Sequence, residues 1–124
     1  MAVDTSALMA IILRERTAAA CAAALRSDAQ RLISAGTVAE TLIVAEKRGI
    51  FDEMVRLVDG LQFEIASVTA ASARRIAEAH RRFGKGKHRL NFGDCFAYEL
   101  AISRNCPLLY IGSDFARTDV QSVL

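Results

Sequence analysis

Four acidic residues carry the chemistry this chain offers most directly: Asp4, Glu40, Asp94 and Asp114. Asp4 follows the opening Met1-Ala2-Val3, and Glu40 falls in the first turn of a helix opened by Gly36-Thr37. Asp94 opens the apolar run Cys95 to Arg104, and Asp114 follows the apolar segment Leu108 to Ile111. In an open parallel sheet the switches from strand to helix line one crevice, and ligands bind there. Two readings of these acids stand side by side. Carboxylates at helix N-termini stabilise the helix by about 0.3–1 kcal/mol each, and Thr37-Val38-Ala39-Glu40 has the spacing of a capping box. Alternatively, a cluster of carboxylate oxygens is the donor set that Mg²⁺ or Mn²⁺ prefers. Asp94 stands among Phe92, Cys95 and Phe96, and Asp4 beside Val3 and Ala7, with no lysine or arginine adjoining either. Such surroundings penalise an uncompensated charge heavily. Position alone leaves metal binding and capping both open.

The second feature is a basic stretch. Arg74, Arg75, Arg81, Arg82, Lys85, Lys87 and Arg89 lie close together, with His80 and His88 among them and Glu78 as the one opposing acid. Such a run meets phosphates, or it is a solvated helix face followed by a basic loop. The net charge of +2 is too mild to decide. Nucleophilic chemistry fits poorly. Cys95 sits on an apolar helix, whereas a reactive thiolate needs an electropositive, accessible setting. His80 and His88 are separated by Gly84, and His80 shares an apolar stripe, where a half-buried histidine is expected. His88 is expected to meet solvent or a phosphate.

The elements that must position these groups alternate. Met1-Ala2-Val3 reads as a strand and Asp4-Thr5-Ser6 as a cap for the apolar run Ala7 to Leu13. Thr17 caps an alanine-rich helix to Ser27, Arg31 to Ser34 is a strand, and the helix after Gly36-Thr37 closes at Gly49. Ile50 to Asp59 forms a short helix before Gly60. Leu61 to Val68 alternates like a strand. Thr69 then caps a helix whose apolar stripe is Ala73, Ile76, Ala77, His80 and Phe83. A loop from Lys85 to Asn91, a buried helix to Arg104, a strand Leu108 to Ile111 and a final strand Val120 to Leu124 complete the pattern. The expected fold class is α/β: a three-layer α/β/α sandwich around a small, mainly parallel sheet.

Length and composition agree. A chain of 124 residues, 52% hydrophobic and 24% charged, forms one domain, residues 1–124, and is no disordered tail. The apolar run Ala7 to Leu13 falls far short of the roughly 20 residues a membrane helix needs, so a soluble, cytoplasmic protein is expected. Cys21, Cys95 and Cys106 have no CxxC spacing and read as small buried side chains. The helices Ala18 to Leu25 and Leu42 to Val58 carry more apolar residues than one small sheet can bury, which suggests a face for another chain.

Val3-Asp4-Thr5-Ser6-Ala7-Leu8, Ile33-Ser34-Ala35 with Glu40, Phe83-Gly84-Lys85-Gly86, Leu90-Asn91-Phe92-Gly93-Asp94-Cys95-Phe96-Ala97-Tyr98 and Gly112-Ser113-Asp114-Phe115 with Thr118-Asp119 together resemble a VapC-type PIN-domain ribonuclease toxin. The resemblance runs end to end. The loop before Leu90 is short for the family, and Ser113 stands where a second acid is common. The resemblance implies a PIN-like fold and a metal-dependent endoribonuclease, using one or two Mg²⁺ or Mn²⁺ ions and held inactive by a VapB-type antitoxin. It makes Asp4, Glu40, Asp94 and Asp114 the catalytic, metal-binding acids and Asp119 an additional or alternative one. Thr5, Ser6 and Asn91 become supports of the metal or its waters, and Lys85, Lys87, His88 and Arg89 the RNA contacts. Homodimerisation is implied as well. A non-catalytic binding module is the rival class, but one that had lost its activity would lack an acid. A phosphoacceptor receiver domain needs an acidic pair at the first strand, where Asp4 is alone.

Overall fold

The structure, a computed structural model, describes residues 1–124. Ten elements follow in order: β1 (Ala2–Val3), α1 (Thr5–Ile12), α2 (Ala18–Ser27), β2 (Leu32–Ser34), α3 (Ala35–Lys47), α4 (Phe51–Gly60), β3 (Glu64–Ala66), α5 (Ala70–Phe83), α6 (Phe92–Ser103) and β4 (Leu108–Leu109). The strands form one parallel sheet in the order β3-β2-β1-β4. The alternation of side chains along each strand divides the core in two. Val3, Ile33 and Leu109 face one side and pack with Leu8, Cys21, Leu25, Met54 and Val58 of α1, α2 and α4. Ala2, Leu32 and Leu108 face the other and pack with Ile76, Ala79, Cys95, Tyr98 and Leu100 of α5 and α6. The result is the three-layer α/β/α sandwich expected from the sequence. Because all strands are parallel, their C-terminal ends share one edge, and the chain leaves that edge at Asp4, Ser34 and the segment after Leu109.

Several expectations need correction. The helix after β2 begins at Ala35 with Ser34 as its cap, the Ser34 hydroxyl accepting from the Gly36 N–H at 3.2 Å. Thr37 is therefore a fully buried residue inside the helix, and there is no capping box with Glu40. Thr17 precedes α2 without a side-chain cap bond. The strand after Leu61 is only Glu64–Ala66, and it lies at the sheet edge with Ile65 exposed. The C-terminal segment makes a single parallel bridge, Leu108 to Ser122, rather than a strand. The buried face of α5 is Ser72, Ile76 and Ala79, while Ala73, Ala77 and His80 are exposed. The apolar surplus expected on Ala18 to Leu25 is absent, because α2 buries Cys21 and Leu25 in the core, whereas in Leu42 to Val58 Met54 and Val58 are buried but Ile43 and Phe51 stay exposed. A further exposed large apolar side chain, outside the expected segments, is Phe92 at the start of α6.

Helices α3 and α6 meet closely because Gly36 has no side chain. A Cβ there would lie 2.2 Å from Cδ1 of Phe96. Alanine is favoured over glycine in a helix by about 1 kcal/mol, yet overpacking of this kind costs about 1–3 kcal/mol. Gly36→Ala is therefore expected to lower the urea midpoint. A raised midpoint would show that the α3–α6 contact has slack.

Candidate active site

Asp4 caps α1 from the end of β1. Its Oδ2 accepts from the Ser6 N–H at 3.0 Å and from the Ser6 hydroxyl at 2.6 Å. The same Ser6 oxygen accepts from the Ile111 N–H at 3.0 Å, so one hydroxyl ties the carboxylate to the strand end beyond β4. The other oxygen, Oδ1, is buried and has no hydrogen-bond partner. Asp94 is arranged alike. It is the third residue of α6, and its Oδ2 accepts from the Asn91 N–H at 2.8 Å while Asn91 Oδ1 accepts from the Asp94 N–H at 2.8 Å. Capping is thus real for both acids, and it uses one oxygen of each.

Glu40 reaches the same place from the second turn of α3. Its carboxylate lies against the backbone of Gly93, where a Cβ would fall 1.0 Å from Oε2. Gly93 thereby joins the candidate site, and in the sequence it is marked only as a glycine beside the helix-opening Asp94. Thr5, on α1, shares a buried 2.9 Å hydroxyl contact with Thr41, the neighbour of Glu40, and so locks α1 to α3. Thr37, one turn earlier on α3, has a buried hydroxyl without a partner.

Electrostatics show that the acids act on one another. Burial is the main cause that lifts the Asp94 carboxyl to about 7, and Asp4, Asp114 and Glu40 each push it further up. Burial likewise lifts Asp4 to about 6, with the Ser6 hydrogen bonds opposing and Glu40 reinforcing. None of the four acids is in an ion pair. As the side chains stand, no three of them converge tightly enough to ligate one ion. The unpartnered Asp4 Oδ1 and the all-oxygen donor set fit Mg²⁺ or Mn²⁺.

Asp119 is engaged elsewhere. It accepts from the Tyr98 hydroxyl at 2.6 Å, which lowers the Asp119 carboxyl, while burial and that bond push Tyr98 up to about 12. The pair tethers the segment that carries Asp114 to α6. Lys85, Lys87 and Arg89 are exposed and without ion pairs. His88 adopts a positive φ of 55° and meets the Ser113 hydroxyl at 2.7 Å, joining the basic loop to the residue before Asp114. On α5 the positive charge is partly spent locally: Arg75 pairs with Glu99, Arg81 pairs with Glu78, and Arg82 stacks on Phe83. Glu78 is therefore not the sole opposing acid. His80 is exposed rather than half-buried. Cys95 donates to the Asn91 carbonyl, and burial raises its thiol to about 11, which leaves it unreactive.

Residues 1–121 match the family model of the PIN domain. The chain belongs to the PIN-domain family. Within it, the chain is 41% identical over 130 aligned positions to the VapC ribonuclease Mb0625 of Mycobacterium bovis, covering 100% of this chain and 98% of that one. It is 42% identical to ribonuclease VapC36 of Mycobacterium tuberculosis, covering 98% and 91%. Among solved structures, VapC20 of Mycobacterium tuberculosis, a sarcin-ricin loop cleaving toxin, shares the fold with a TM-score of 0.79 and 15% identity over 98% of this chain. A toxin-antitoxin complex from Klebsiella pneumoniae gives 0.71 and 21% over 95%. The chain is thus a VapC-type member of the PIN family.

The two raised carboxyls set a pH dependence. A carboxyl whose folded value exceeds its unfolded value of 3.8 binds its proton more tightly when folded. Stability is then fully present below that unfolded value and is lost as pH rises through about 6 and 7. Asp94→Asn cannot ionise and keeps an acceptor for the Asn91 N–H. In EDTA at pH 8 it should exceed the unsubstituted protein in stability by about 1–3 kcal/mol, and the gap should close near pH 4. Urea unfolding at both pH values measures this; equal midpoints at pH 8 would mean that burial and the neighbouring acids place no cost on the ionised Asp94.

Proposed function

We propose that this chain is a metal-dependent endoribonuclease, the toxin of a toxin-antitoxin pair, which cleaves RNA phosphodiesters in the cytoplasm and is inhibited by a VapB-type antitoxin. The carrying observation is the Asp4 Oδ1 atom: buried, unpartnered, and beside Asp94 in a group of acids with no basic side chain paired to it. Asp4, Glu40, Asp94 and Asp114 hold one or two Mg²⁺ or Mn²⁺ ions. Such ions, when bound, lower the pKa of a coordinated water and neutralise charge on the phosphate under attack.

The chain's own residues do the positioning. Ser6 and the Asn91 N–H fix one oxygen of Asp4 and Asp94 and leave the other of each free of these bonds. Gly93 lets the Glu40 carboxylate seat against α6, and the Tyr98–Asp119 bond anchors the segment bearing Asp114. Lys85, Lys87, His88 and Arg89 draw the RNA backbone in, supplying charge without base readout. The similarity to VapC ribonucleases and to a toxin-antitoxin complex supports the RNA substrate and the antitoxin partner, and a homodimer is part of the same reading. No helix is long and apolar enough to cross a membrane.

Antitoxin-free protein should cut total cellular RNA at few sites in Mg²⁺ or Mn²⁺ and not in EDTA, leaving 5′-phosphate ends, and Asp94→Asn should lose at least about 100-fold in rate. The double substitution Lys85→Ala, Lys87→Ala should flatten the salt dependence of RNA binding, by about 1–2 in log–log slope, with metal affinity unchanged. Cleavage that persists in EDTA, or survives Asp94→Asn, would refute the metal mechanism.

A further inference from the structure

Phe92 is the first residue of α6 and is 75% exposed, while the next three residues, Gly93, Asp94 and Cys95, are all buried. A water-exposed phenyl ring is unfavourable for the isolated chain. Phe96 supports it edge-on, with ring centroids 5.0 Å apart and planes at 86°. The supporting contact fixes the ring's position and leaves a face free. Between this pair and α3 lies an open pocket of about 340 Å³, floored by Ala39 and Ile43 and walled by Phe92 and Phe96. Ile43 is itself 53% exposed.

Two charged residues complete that pocket, Glu40 and Lys47. They are seven positions apart on α3, about two helical turns or 10 Å. Glu40 belongs to the acid cluster, so the apolar pocket is continuous with the candidate active site. Lys47 has no ion pair and is exposed. An apolar, aromatic-walled slot with a metal-binding carboxylate at one place and an ammonium two turns along matches the chemistry of one nucleotide. Its planar base is apolar on both faces, and phosphates lie on either side of it. Sequence-specific RNA recognition targets unpaired bases stacked on aromatic side chains, and the pocket's size falls within the range of about 300–1,000 Å³ typical of small-molecule sites.

We propose that the Phe92 pocket is a nucleobase subsite: an unpaired base next to the scissile phosphate stacks on Phe92 while Lys47 holds the following phosphate. This deepens the ribonuclease reading and rests on it.

The chain contains no tryptophan, so the Phe92→Trp protein carries a single reporter. It is titrated in Ca²⁺ with fluorescently labelled octauridylate, and RNA binding is followed separately by anisotropy. The expected result is a saturable loss of at least about half the tryptophan emission, on the same concentration scale as the anisotropy change. An octamer lacking bases should raise the anisotropy without the quench. Phe92→Ala should weaken octauridylate binding by about 5- to 150-fold and raise KM more than it lowers kcat, Phe92→Tyr should restore both, and Mn²⁺ affinity should stay constant as the check on folding. An anisotropy change without tryptophan quenching overturns the subsite and leaves the ribonuclease reading standing. No anisotropy change with any RNA overturns both. If Phe92→Ala binds octauridylate normally but loses its antitoxin, the pocket is a protein-docking site and the proposal fails.

Discussion

A carboxylate at the end of a central parallel strand, closed off from water and given no positive side chain, is the constraint around which this molecule is arranged. Asp4 is buried on the strand that pairs with both β2 and β4, and it cannot move without breaking the Ser6 bridge that also fixes Ile111. Burial alone would favour its protonation, and Glu40 makes ionisation harder still. Folding therefore stores an electrostatic cost at one edge of the sheet.

The surrounding elements serve that arrangement in distinct ways. The Asn91–Asp94 capping box begins α6 and at once fixes the Asp94 carboxyl, so a stabilising local motif doubles as a positioning device. Gly93 and Gly36 let α3 approach α6, one to admit the Glu40 carboxylate and the other to admit the Phe96 ring. The Thr5–Thr41 contact and the Tyr98–Asp119 bond join the remaining pieces across long sequence separations. The basic loop sits outside this frame and is tied to it through His88 and Ser113.

Much of this was legible in the sequence, and the misses have physical causes. The layered fold followed from short apolar strands alternating with capped helices. The places of Asp4, Glu40, Asp94 and Asp114 after strands or at helix starts led to the expectation of one acid group; the other three do act on the Asp94 carboxyl, but no three of them converge tightly. The capping box assigned to Thr37 and Glu40 failed because Ser34 competes for the same helix start and takes it at Ala35. That shift frees Glu40 from capping and puts it in the second turn, facing Gly93. The Ala73, Ala77 and His80 stripe failed because α5 packs on one flank only, so part of its apolar face borders open space. The role of Asp119 depended on Tyr98, twenty-one residues away in sequence, a pairing that local pattern does not encode. The exposure of Phe92 was hidden for the same reason, since an aromatic residue beside an apolar helix reads as core.

The most direct test of the account is the anomalous difference density of crystals grown with Mn²⁺. The account requires an ion bonded to Asp4 Oδ1 and to Asp94, at about 2.0–2.2 Å, with Ser6 still holding Asp4 Oδ2. Glu40 or Asp114 should complete the protein ligands, directly or through water. Mn²⁺ bound elsewhere on the protein, with Asp4 Oδ1 still buried and unligated, would contradict the claim that the buried carboxylate exists to hold the metal.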